Sequence, residues 1–359
     1  MSSGVEYTRQ DVLEMTGYVP GRQPAPGSRV IKLNTNESPL PPSPKVATAI
    51  TDILLDDSII RRYPDPQSLK LRQLAAEING CQVSQVIAGN GSDELLRVVL
   101  DTFVEQDETV AFFSPSYSLY PVLTRIRGGQ IKSLPLFRDG LIYQPDLVGV
   151  KLFFLTSPNA PLGFSFSQDY IRELAWSFQG ILVVDEAYAD FADENALKLV
   201  HELDNLIVLR TLSKSYGLAS LRVGLGFADT SLIEQLDKVR DSYNMDRLAQ
   251  VGACAALSDQ DYLRQTVALV VDERQHLTAA LQDLGFKVEP SQTNFVFVTP
   301  PPGCGAARLH AGLEDNGILV RYFADSQLAH GLRISIGTPA EMNQLILVIK
   351  NFLEDGDFK

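Results

Sequence analysis

The sequence predicts an α/β fold built on a mostly parallel sheet, joined to a smaller unit that mixes helices and strands. From residue 68 to residue 214, helical patterns alternate with short apolar strands, which is typical of a parallel sheet with crossover helices. The strands are almost continuously apolar, as expected where helices cover both faces of a sheet. At 359 residues, the chain is long enough for roughly two domains of ordinary size.

Each element of the alternating region has its own pattern. Runs of apolar residues predict the strands VIAG (86–89), TVAFFS (109–114), VKLFFLTSPN (150–159), ILVVDEAY (181–188) and LIVLRTLSK (206–214). Helical spacing of apolar residues predicts helices over 68–78, 92–104, 167–178 and 194–203. The patterns therefore predict strands that are separated by helices or by longer connections.

The segments on either side of this region predict the domain boundaries. The prolines of NESPLPPSPKV (36–46) favour an extended linker, so a new unit is expected to start near Pro44. After Gly226, helical patterns cover 231–238 and 262–284, the second being a connector that leaves the sheet. A second, smaller sheet is predicted from 286–290, 294–300, 318–323 and 331–337, closed by a helix over 339–353. We expect a large domain over 44–248 and a small domain from 1–43, with an N-terminal arm, and 249–359.

Composition excludes several classes of protein. The net charge of −13 disfavours a nucleic-acid partner, because phosphate-backbone binders carry basic surfaces. The three cysteines and four histidines show no metal-ligand spacing, so neither a metal site nor a disulfide is expected. The N-terminus lacks a signal pattern and no apolar run approaches the ~18 residues of a membrane span, so a cytoplasmic protein without a membrane partner is expected.

Polar residues follow three predicted strands at their carboxyl ends, where open α/β sheets bind ligands. Asn159 follows LFFLTSP, Asp185 ends ILVVD and Lys214 follows LIVLRTLS. The separations are 26 residues (185 − 159) and 29 residues (214 − 185), each close to one strand-helix-strand step of about 30 residues. We therefore expect the three positions to line one edge of the sheet.

The residue types near this edge indicate an anionic ligand. A carboxylate at the end of an apolar strand loses hydration, so Asp185 needs a cationic or hydrogen-bonding partner, unless it only caps the next helix. Lys214 alone would be read as an ordinary surface charge. The nearby Thr211, Ser213 and Arg222, however, are donors suited to a phosphate group.

A second anion site is indicated by AGNGSDELL (88–96), where Gly89 and Gly91 precede Ser92 at the predicted start of a helix. Free N–H groups and the positive end of the helix dipole favour an anion there. A plain tight turn with Ser92 as N-cap explains the same residues. The stretch matches neither GxGxxG nor GxxxxGK[ST], which disfavours a dinucleotide or a nucleoside triphosphate.

A set of short motifs is spread over nearly the whole chain: LNTNESP (33–39), YPDP (63–66), GNGSDELL (89–96), PSYSLY (115–120), VVDEAYADF (183–191), TLSKSYGLASLRVG (211–224) and GLRISIGTP (331–339). Together and in this order they resemble the fold-type I pyridoxal-phosphate (PLP) enzymes, and among them the histidinol-phosphate aminotransferase family. The resemblance implies a mostly parallel seven-stranded sheet flanked by helices, a smaller α+β domain, and PLP as the cofactor.

The resemblance also implies a role for each residue of the cofactor site. Lys214 would form a Schiff base with PLP and carry the transferred proton. Asp185 would pair with the protonated pyridine nitrogen, Tyr188 would donate to the phenolic oxygen, and Tyr117 would stack on the ring. The remaining matched positions, most of them around the phosphate, are Ser92, Asp93, Thr211, Ser213 and Arg222.

One stretch departs from the family pattern. Where the family has NNPTG, this chain has SPNAPLG (157–163), so Ala160 replaces the asparagine that donates to the phenolic oxygen. Leu162 replaces the threonine, and Asn159 stays a candidate cofactor contact one residue earlier. With one donor fewer, the pKa of the Schiff base is expected to exceed that of relatives that keep the asparagine, and Tyr188 becomes the principal partner.

Further matched residues concern the partner subunit and the substrates. Tyr63 in RRYPDP matches a residue that reaches the phosphate bound by the neighbouring subunit, which implies a homodimer with shared active sites. Arg333 matches an arginine for a carboxylate or phosphate, and Arg321 is a second candidate. Tyr18 and Asn36 are the other candidate substrate contacts.

The implied activity is the reversible transfer of an amino group between L-histidinol phosphate and 2-oxoglutarate, forming imidazole acetol phosphate and L-glutamate, in histidine biosynthesis. An aromatic amino-acid aminotransferase or a threonine-phosphate decarboxylase would use the same scaffold, and the motifs do not separate them. A non-catalytic PLP-binding regulator is disfavoured because the acidic chain has no basic DNA-binding module. A Rossmann protein is disfavoured by the missing glycine fingerprint.

Overall fold

The computed structural model describes residues 7–25, 27–56, 58–138 and 140–354 and contains two main sheets. Its strands are β1 (Ile31–Leu33), β2 (Val86–Asn90), β3 (Thr109–Ser114), β4 (Gln130–Pro135), β5 (Phe137–Arg138), β6 (Leu141–Ile142), β7 (Val150–Thr156), β8 (Ile181–Asp185), β9 (Leu206–Thr211), β10 (Val223–Ala228), β11 (Lys287–Val288), β12 (Phe295–Thr299), β13 (Ile318–Tyr322) and β14 (Leu332–Ser335). Its helices are α1 (Gln10–Glu14), α2 (Pro44–Leu54), α3 (Leu69–Asn79), α4 (Ser92–Phe103), α5 (Leu119–Arg127), α6 (Gln168–Ser177), α7 (Thr230–Val239), α8 (Arg247–Leu257), α9 (Gln260–Asp283), α10 (Ala306–Asp315) and α11 (Pro339–Glu354).

The larger sheet has seven strands in the order β2-β10-β9-β8-β7-β3-β4. Only β10 runs antiparallel to its neighbours, and the remaining pairs are parallel. Successive residues pack on opposite faces: Phe153 and Val184 join one apolar cluster, while Phe154 and Val183 join another. Because both faces are covered, the strands are apolar throughout, and the predicted α/β class is confirmed.

The smaller sheet has the order β1-β13-β14-β12-β11. Its four C-terminal strands were predicted, whereas β1, only three residues long, carries too short a pattern to predict. β1 pairs in parallel with β13, which brings the N-terminal segment to this sheet. The sheet packs with α9, α10 and α11 around a second core. The loop that follows β1 thereby reaches the space between the two sheets.

The segment 194–203 differs from the sequence-based expectation, and the start of α2 agrees with it. Residues 194–203 were predicted as a helix, but only a 3-10 turn forms over Leu197–His201. Two side chains bond the backbone at the start of this segment: Glu186 accepts from Ala196 N, and Asn195 accepts from Leu197 N at 3.1 Å. The proline-rich linker ends at Ser43, which caps α2. Pro44 lies in the first turn of α2, where a proline removes no helical hydrogen bond.

The predicted domain boundary at 248–249 falls inside α8. Ala249 and Ala253 of this helix pack in the same cluster as the larger sheet, whereas Val270 and Leu277 of α9 pack with the smaller sheet. We propose that the division lies between α8 and α9. None of the helices over the described ranges is long and apolar enough to cross a membrane.

Candidate active site

A cavity of about 1050 Å³ opens at the carboxyl ends of β7, β8 and β9, between the two sheets. Asp185 and Lys214 line it from the larger sheet, as the strand spacing predicted. Arg333 lines it from β14, and Tyr18 and Asn36 line it from the N-terminal segment. The cavity therefore brings together residues that are far apart in the sequence, such as Tyr18 and Arg333, which are 315 positions apart (333 − 18).

Lys214 lies three residues beyond the end of β9, and its Nζ donates to the carbonyl oxygen of Thr35 at 3.2 Å. Burial, and after it the Arg333 cation, lowers the pKa of the ammonium to about 8, whereas Glu37 and Asp93 oppose the shift. A lysine of this kind carries a substantial neutral fraction near neutral pH, which a nucleophilic amine requires.

Asp185 ends β8 and is only 3% exposed. Its Oδ2 accepts from the Tyr120 hydroxyl at 2.8 Å, and its Oδ1 accepts from Ala187 N at 3.3 Å. Burial raises the pKa of the carboxyl to about 6. Among the residues that the structure describes, no cation pairs with it, so the site suits a ligand that brings a positive charge to this carboxylate.

Tyr120 was missed by the sequence analysis. It is fully buried on α5, stacks on Phe154 with ring centroids 4.6 Å apart, and also contacts the Thr156 hydroxyl at 2.7 Å. Its position in PSYSLY was the available signal, but only the packing of α5 against β7 and β8 shows that its hydroxyl reaches Asp185. Tyr120 therefore orients the carboxylate.

The two predicted anion sites form one cradle. Arg222, at φ 51°, donates to Ser213 Oγ at 3.3 Å and pairs with Asp93 Oδ2 at 3.1 Å. A Cβ added to Gly91 would lie 2.6 Å from the Arg222 guanidinium, and one added to Gly224 would lie 2.4 Å from the Gly91 carbonyl carbon. Glycines thus let the guanidinium and the N-terminus of α4 approach closely, which suits a phosphate. The other members of the cradle are Ser92 at the first turn of α4 and Thr211, whose Oγ1 lies 2.9 Å from Ser213 Oγ.

Two tyrosines line the cavity near Asp185. The Tyr117 hydroxyl donates to Asp93 Oδ1 at 3.1 Å, and its ring meets Tyr18 edge to face at 5.9 Å. The Tyr188 hydroxyl accepts from Asn36 Nδ2 at 2.9 Å. Burial raises the pKa of both phenols, so both stay protonated at neutral pH.

Two predicted contacts do not line this cavity. Asn159 is 1% exposed and its amide joins two loops, donating to Pro115 O after β3 at 3.3 Å and accepting from Leu162 N in its own loop at 3.2 Å. Ala160 lines the cavity instead. Tyr63 is 76% exposed and stacks on Tyr243 at 4.5 Å, outside the cavity of its own chain.

The smaller sheet supplies the cationic side of the cavity. Arg321 and Arg333 flank the ring of Phe323 at 5.3 Å and 5.5 Å, and Arg333 donates to Asn34 O at 3.1 Å. The buried Nε of Arg333 has no hydrogen-bond partner. A buried guanidinium with free donors is suited to an anionic group of a ligand.

Comparison with known proteins agrees with this geometry. The family model described as aminotransferase class I and II matches residues 28–349. A histidinol-phosphate aminotransferase of Geotalea daltonii is 49% identical over 342 residues, which cover 95% of this chain and 98% of that one. The crystal structure of histidinol-phosphate aminotransferase from Sinorhizobium meliloti in complex with pyridoxal-5'-phosphate matches with a TM-score of 0.82 and 29% identity, over 91% of this chain and 93% of that one.

These matches define first a class and then a family. The chain has the fold of the class I and II aminotransferases, which depend on PLP, and belongs to that class. Within that class, the chain belongs to the histidinol-phosphate aminotransferase family. An L-threonine-O-3-phosphate decarboxylase from Porphyromonas gingivalis, 21% identical with a TM-score of 0.79 over 90% of this chain and 100% of that one, shares the fold alone.

Proposed function

We propose that this protein transfers an amino group between L-histidinol phosphate and 2-oxoglutarate, with PLP as cofactor, in histidine biosynthesis. The observation that carries the proposal is the cavity itself, where Lys214 and Asp185 of the larger sheet lie opposite Arg333 and Arg321 of the smaller one. The extent of the match to the Geotalea daltonii relative supports the same substrate.

The residues present fit PLP, which when bound supplies an electron sink for the charge that develops at the substrate Cα. Asp185 would hold the protonated ring nitrogen, since its buried carboxylate lacks a cation. Arg222, Ser213 and the N-terminus of α4 would hold the phosphate. Lys214 Nζ would anchor the cofactor and then carry the proton taken from the substrate.

The two arginines suit substrates that share an anionic end. Histidinol phosphate carries a phosphate, and 2-oxoglutarate carries carboxylates, so one cationic surface can serve both. Arg333 is buried with a free Nε, and Arg321 lines the same cavity. We infer that Arg333 holds the anionic group directly and that Tyr18 contacts the substrate from the N-terminal segment.

We also propose a cytoplasmic homodimer with shared active sites. Tyr63 is exposed, and so are Leu54, Leu55 and Ile60 shortly before it in the chain. Exposed apolar side chains of this number favour an interface between subunits. Tyr63 would then reach the phosphate site of the neighbouring subunit, and sedimentation equilibrium should return twice the monomer mass of 39.5 kDa.

The substrate proposal is tested by a half-reaction without keto acid. Protein loaded with PLP is mixed with L-histidinol phosphate, L-phenylalanine or L-threonine phosphate while the visible cofactor band is followed. Fastest conversion with histidinol phosphate supports the proposal, and preference for phenylalanine would reassign the protein to aromatic aminotransferases. Decarboxylation of threonine phosphate would reassign it to the decarboxylases.

Cofactor uptake by the apoprotein should depend on the pKa of Lys214. Because only the neutral amine attacks an aldehyde, the uptake rate should rise with pH and level off above about 8. Replacement of Arg333 by leucine removes a cation and should move the inflection to higher pH. Glu37→Gln removes an anion and should move it lower, as stopped-flow absorbance would show. Shifts of the same sign in both variants would contradict this electrostatic account.

A further inference from the structure

Tyr188 is the principal hydroxyl left to donate to the cofactor's phenolic oxygen, because Ala160 stands where the family has asparagine. A hydroxyl can donate only if its proton points toward the acceptor. The direction of the Tyr188 proton therefore matters more in this chain than in relatives with a second donor. The inference that follows rests on the proposed function.

A chain of three hydrogen bonds joins Tyr188 to the smaller sheet. Asn36 Nδ2 lies 2.9 Å from the Tyr188 hydroxyl, and Ser335 Oγ lies 2.8 Å from Asn36 Oδ1. The backbone N of Asn36 lies 2.9 Å from the same Ser335 Oγ. Asn36 and Ser335 are 1% and 2% exposed, so water does not compete for these groups.

The chemistry of these groups sets the direction of every proton. A backbone N–H can only donate, so Ser335 Oγ accepts from it. Within the described ranges Asn36 Oδ1 is the one acceptor that the buried Ser335 hydroxyl meets, so its proton goes there. The amide of Asn36 is thereby oriented with its Nδ2 toward Tyr188, whose oxygen must accept. Within the described ranges, the Tyr188 hydroxyl makes no other hydrogen bond, so its own proton is left for the cavity.

The smaller sheet holds this arrangement in place. The carbonyl oxygen of Asn36 accepts from Asn294 Nδ2 at 3.0 Å, and Asn36 adopts a left-handed φ of 55°. Ser335 pairs with Phe295 across β12 and β14, and the Phe295 ring meets the Tyr188 ring at 5.1 Å. Both ends of this series of hydrogen bonds are therefore fixed to β12 and β14.

We propose that Asn36 and Ser335 are positioning residues that point the hydroxyl proton of Tyr188 into the cavity and so offset the donor missing at Ala160. Asn36 then acts through Tyr188, in addition to the substrate contact that the resemblance implies. The charged groups that face Tyr188 are Lys214, Arg333, Asp185 and Asp93, and all of them are kept in the variants that test the proposal.

The test is a pH titration of the visible cofactor band in single and double variants. Asn36→Asp places an acceptor opposite Tyr188 and turns its proton away from the cavity. In the wild-type background, this variant should raise the pKa of the band by about one pH unit more than it does in a Tyr188→Phe background. The part of the rise that persists in Tyr188→Phe measures the added carboxylate charge alone.

Ser335→Ala removes one oxygen and serves as the milder variant. Without the Ser335 hydroxyl, the Asn36 amide can exchange the positions of its oxygen and nitrogen and accept the Tyr188 proton. The pKa of the band should therefore rise in the wild-type background and stay unchanged in Tyr188→Phe. Thr293→Val is the matched control, since Thr293 is a fully buried residue near β12 whose hydroxyl bonds only to Ser291 and Phe295. It should leave the band unchanged.

Equal shifts of the pKa of the band in both backgrounds, or no shift in either, would overturn the proposal. Asn36 and Ser335 would then not act through the Tyr188 hydroxyl. Absence of a visible band in the wild-type protein would overturn the cofactor assignment as well. The two failures are distinguishable, since the first leaves a normal band that titrates and the second leaves none.

Discussion

Replacement of Lys214 by alanine is expected to abolish transamination, with a loss of at least about 10⁴-fold in kcat. The amine both anchors the cofactor and moves the substrate proton, and no other lysine lines the cavity among the described residues. The variant should still bind PLP through the cradle of Arg222, Ser213 and α4. Its absorption should then be that of the free aldehyde instead of the linked form.

Lys214→Arg is the matched control for this prediction. It keeps the positive charge near Glu37 and Asp93 but cannot lose its proton, so it should be as inactive as the alanine variant. Turnover within tenfold of wild type in either variant would contradict the assignment of Lys214. Measurement of both kcat and PLP affinity separates loss of chemistry from loss of the cofactor.

Replacement of Asp185 by asparagine should lower kcat by about 10³-fold while stabilising the apoprotein. The amide keeps the shape of the side chain and can accept from Tyr120, but it cannot hold a positive charge on the cofactor ring. Activity and stability therefore change in opposite directions. This pattern is expected of a buried carboxylate that is retained for its ligand.

The stability effect depends on pH in a direction set by the raised pKa. Folding moves the Asp185 carboxyl from an ordinary value of 3.8 to about 6, so below pH 3.8 it is protonated in both states and costs nothing. As pH rises to about 6, the folded apoprotein loses stability by roughly 3 kcal/mol, because one pH unit corresponds to about 1.4 kcal/mol. Asp185→Asn should remove this loss, which denaturant unfolding at pH 4 and pH 7.5 would measure.

Asp237 provides a contrasting carboxylate away from the cavity. It pairs with the buried Arg72 at 3.0 Å and with Arg240 at 2.8 Å, so Asp237→Asn should destabilise the protein by leaving a buried cation without its partner. If Asp185→Asn also destabilises the apoprotein at pH 7.5, the buried charge of Asp185 does not lower the stability of the folded apoprotein. With PLP bound, wild type should be more stable than Asp185→Asn.

The alternation of helical and strand patterns predicted the α/β class, and the motifs at strand ends predicted most of the residues around the cavity. Lys214, Asp185 and Arg222 were predictable because each lies directly beyond a buried strand or in a short motif with it. The carboxyl ends of neighbouring parallel strands meet at one edge, so spacing along the chain translates into proximity there. These positions could be predicted because the pattern that marks each strand end is local in the sequence.

Other features were decided only by tertiary contacts. Ala160, not Asn159, lines the cavity, because the Asn159 amide bonds to Pro115 and Leu162 instead. Residues 194–203 have a helical pattern, yet only a 3-10 turn forms there, over Leu197–His201.

The clearest case is the contact between Asn36 and Tyr188, which are 152 positions apart. The sequence by itself determined which side chains stand at the strand ends, and the resemblance of its motifs to PLP enzymes indicated the cofactor class. The tertiary structure alone decided which donors face one another, because hydrogen-bond direction depends on groups that only folding brings within 3 Å.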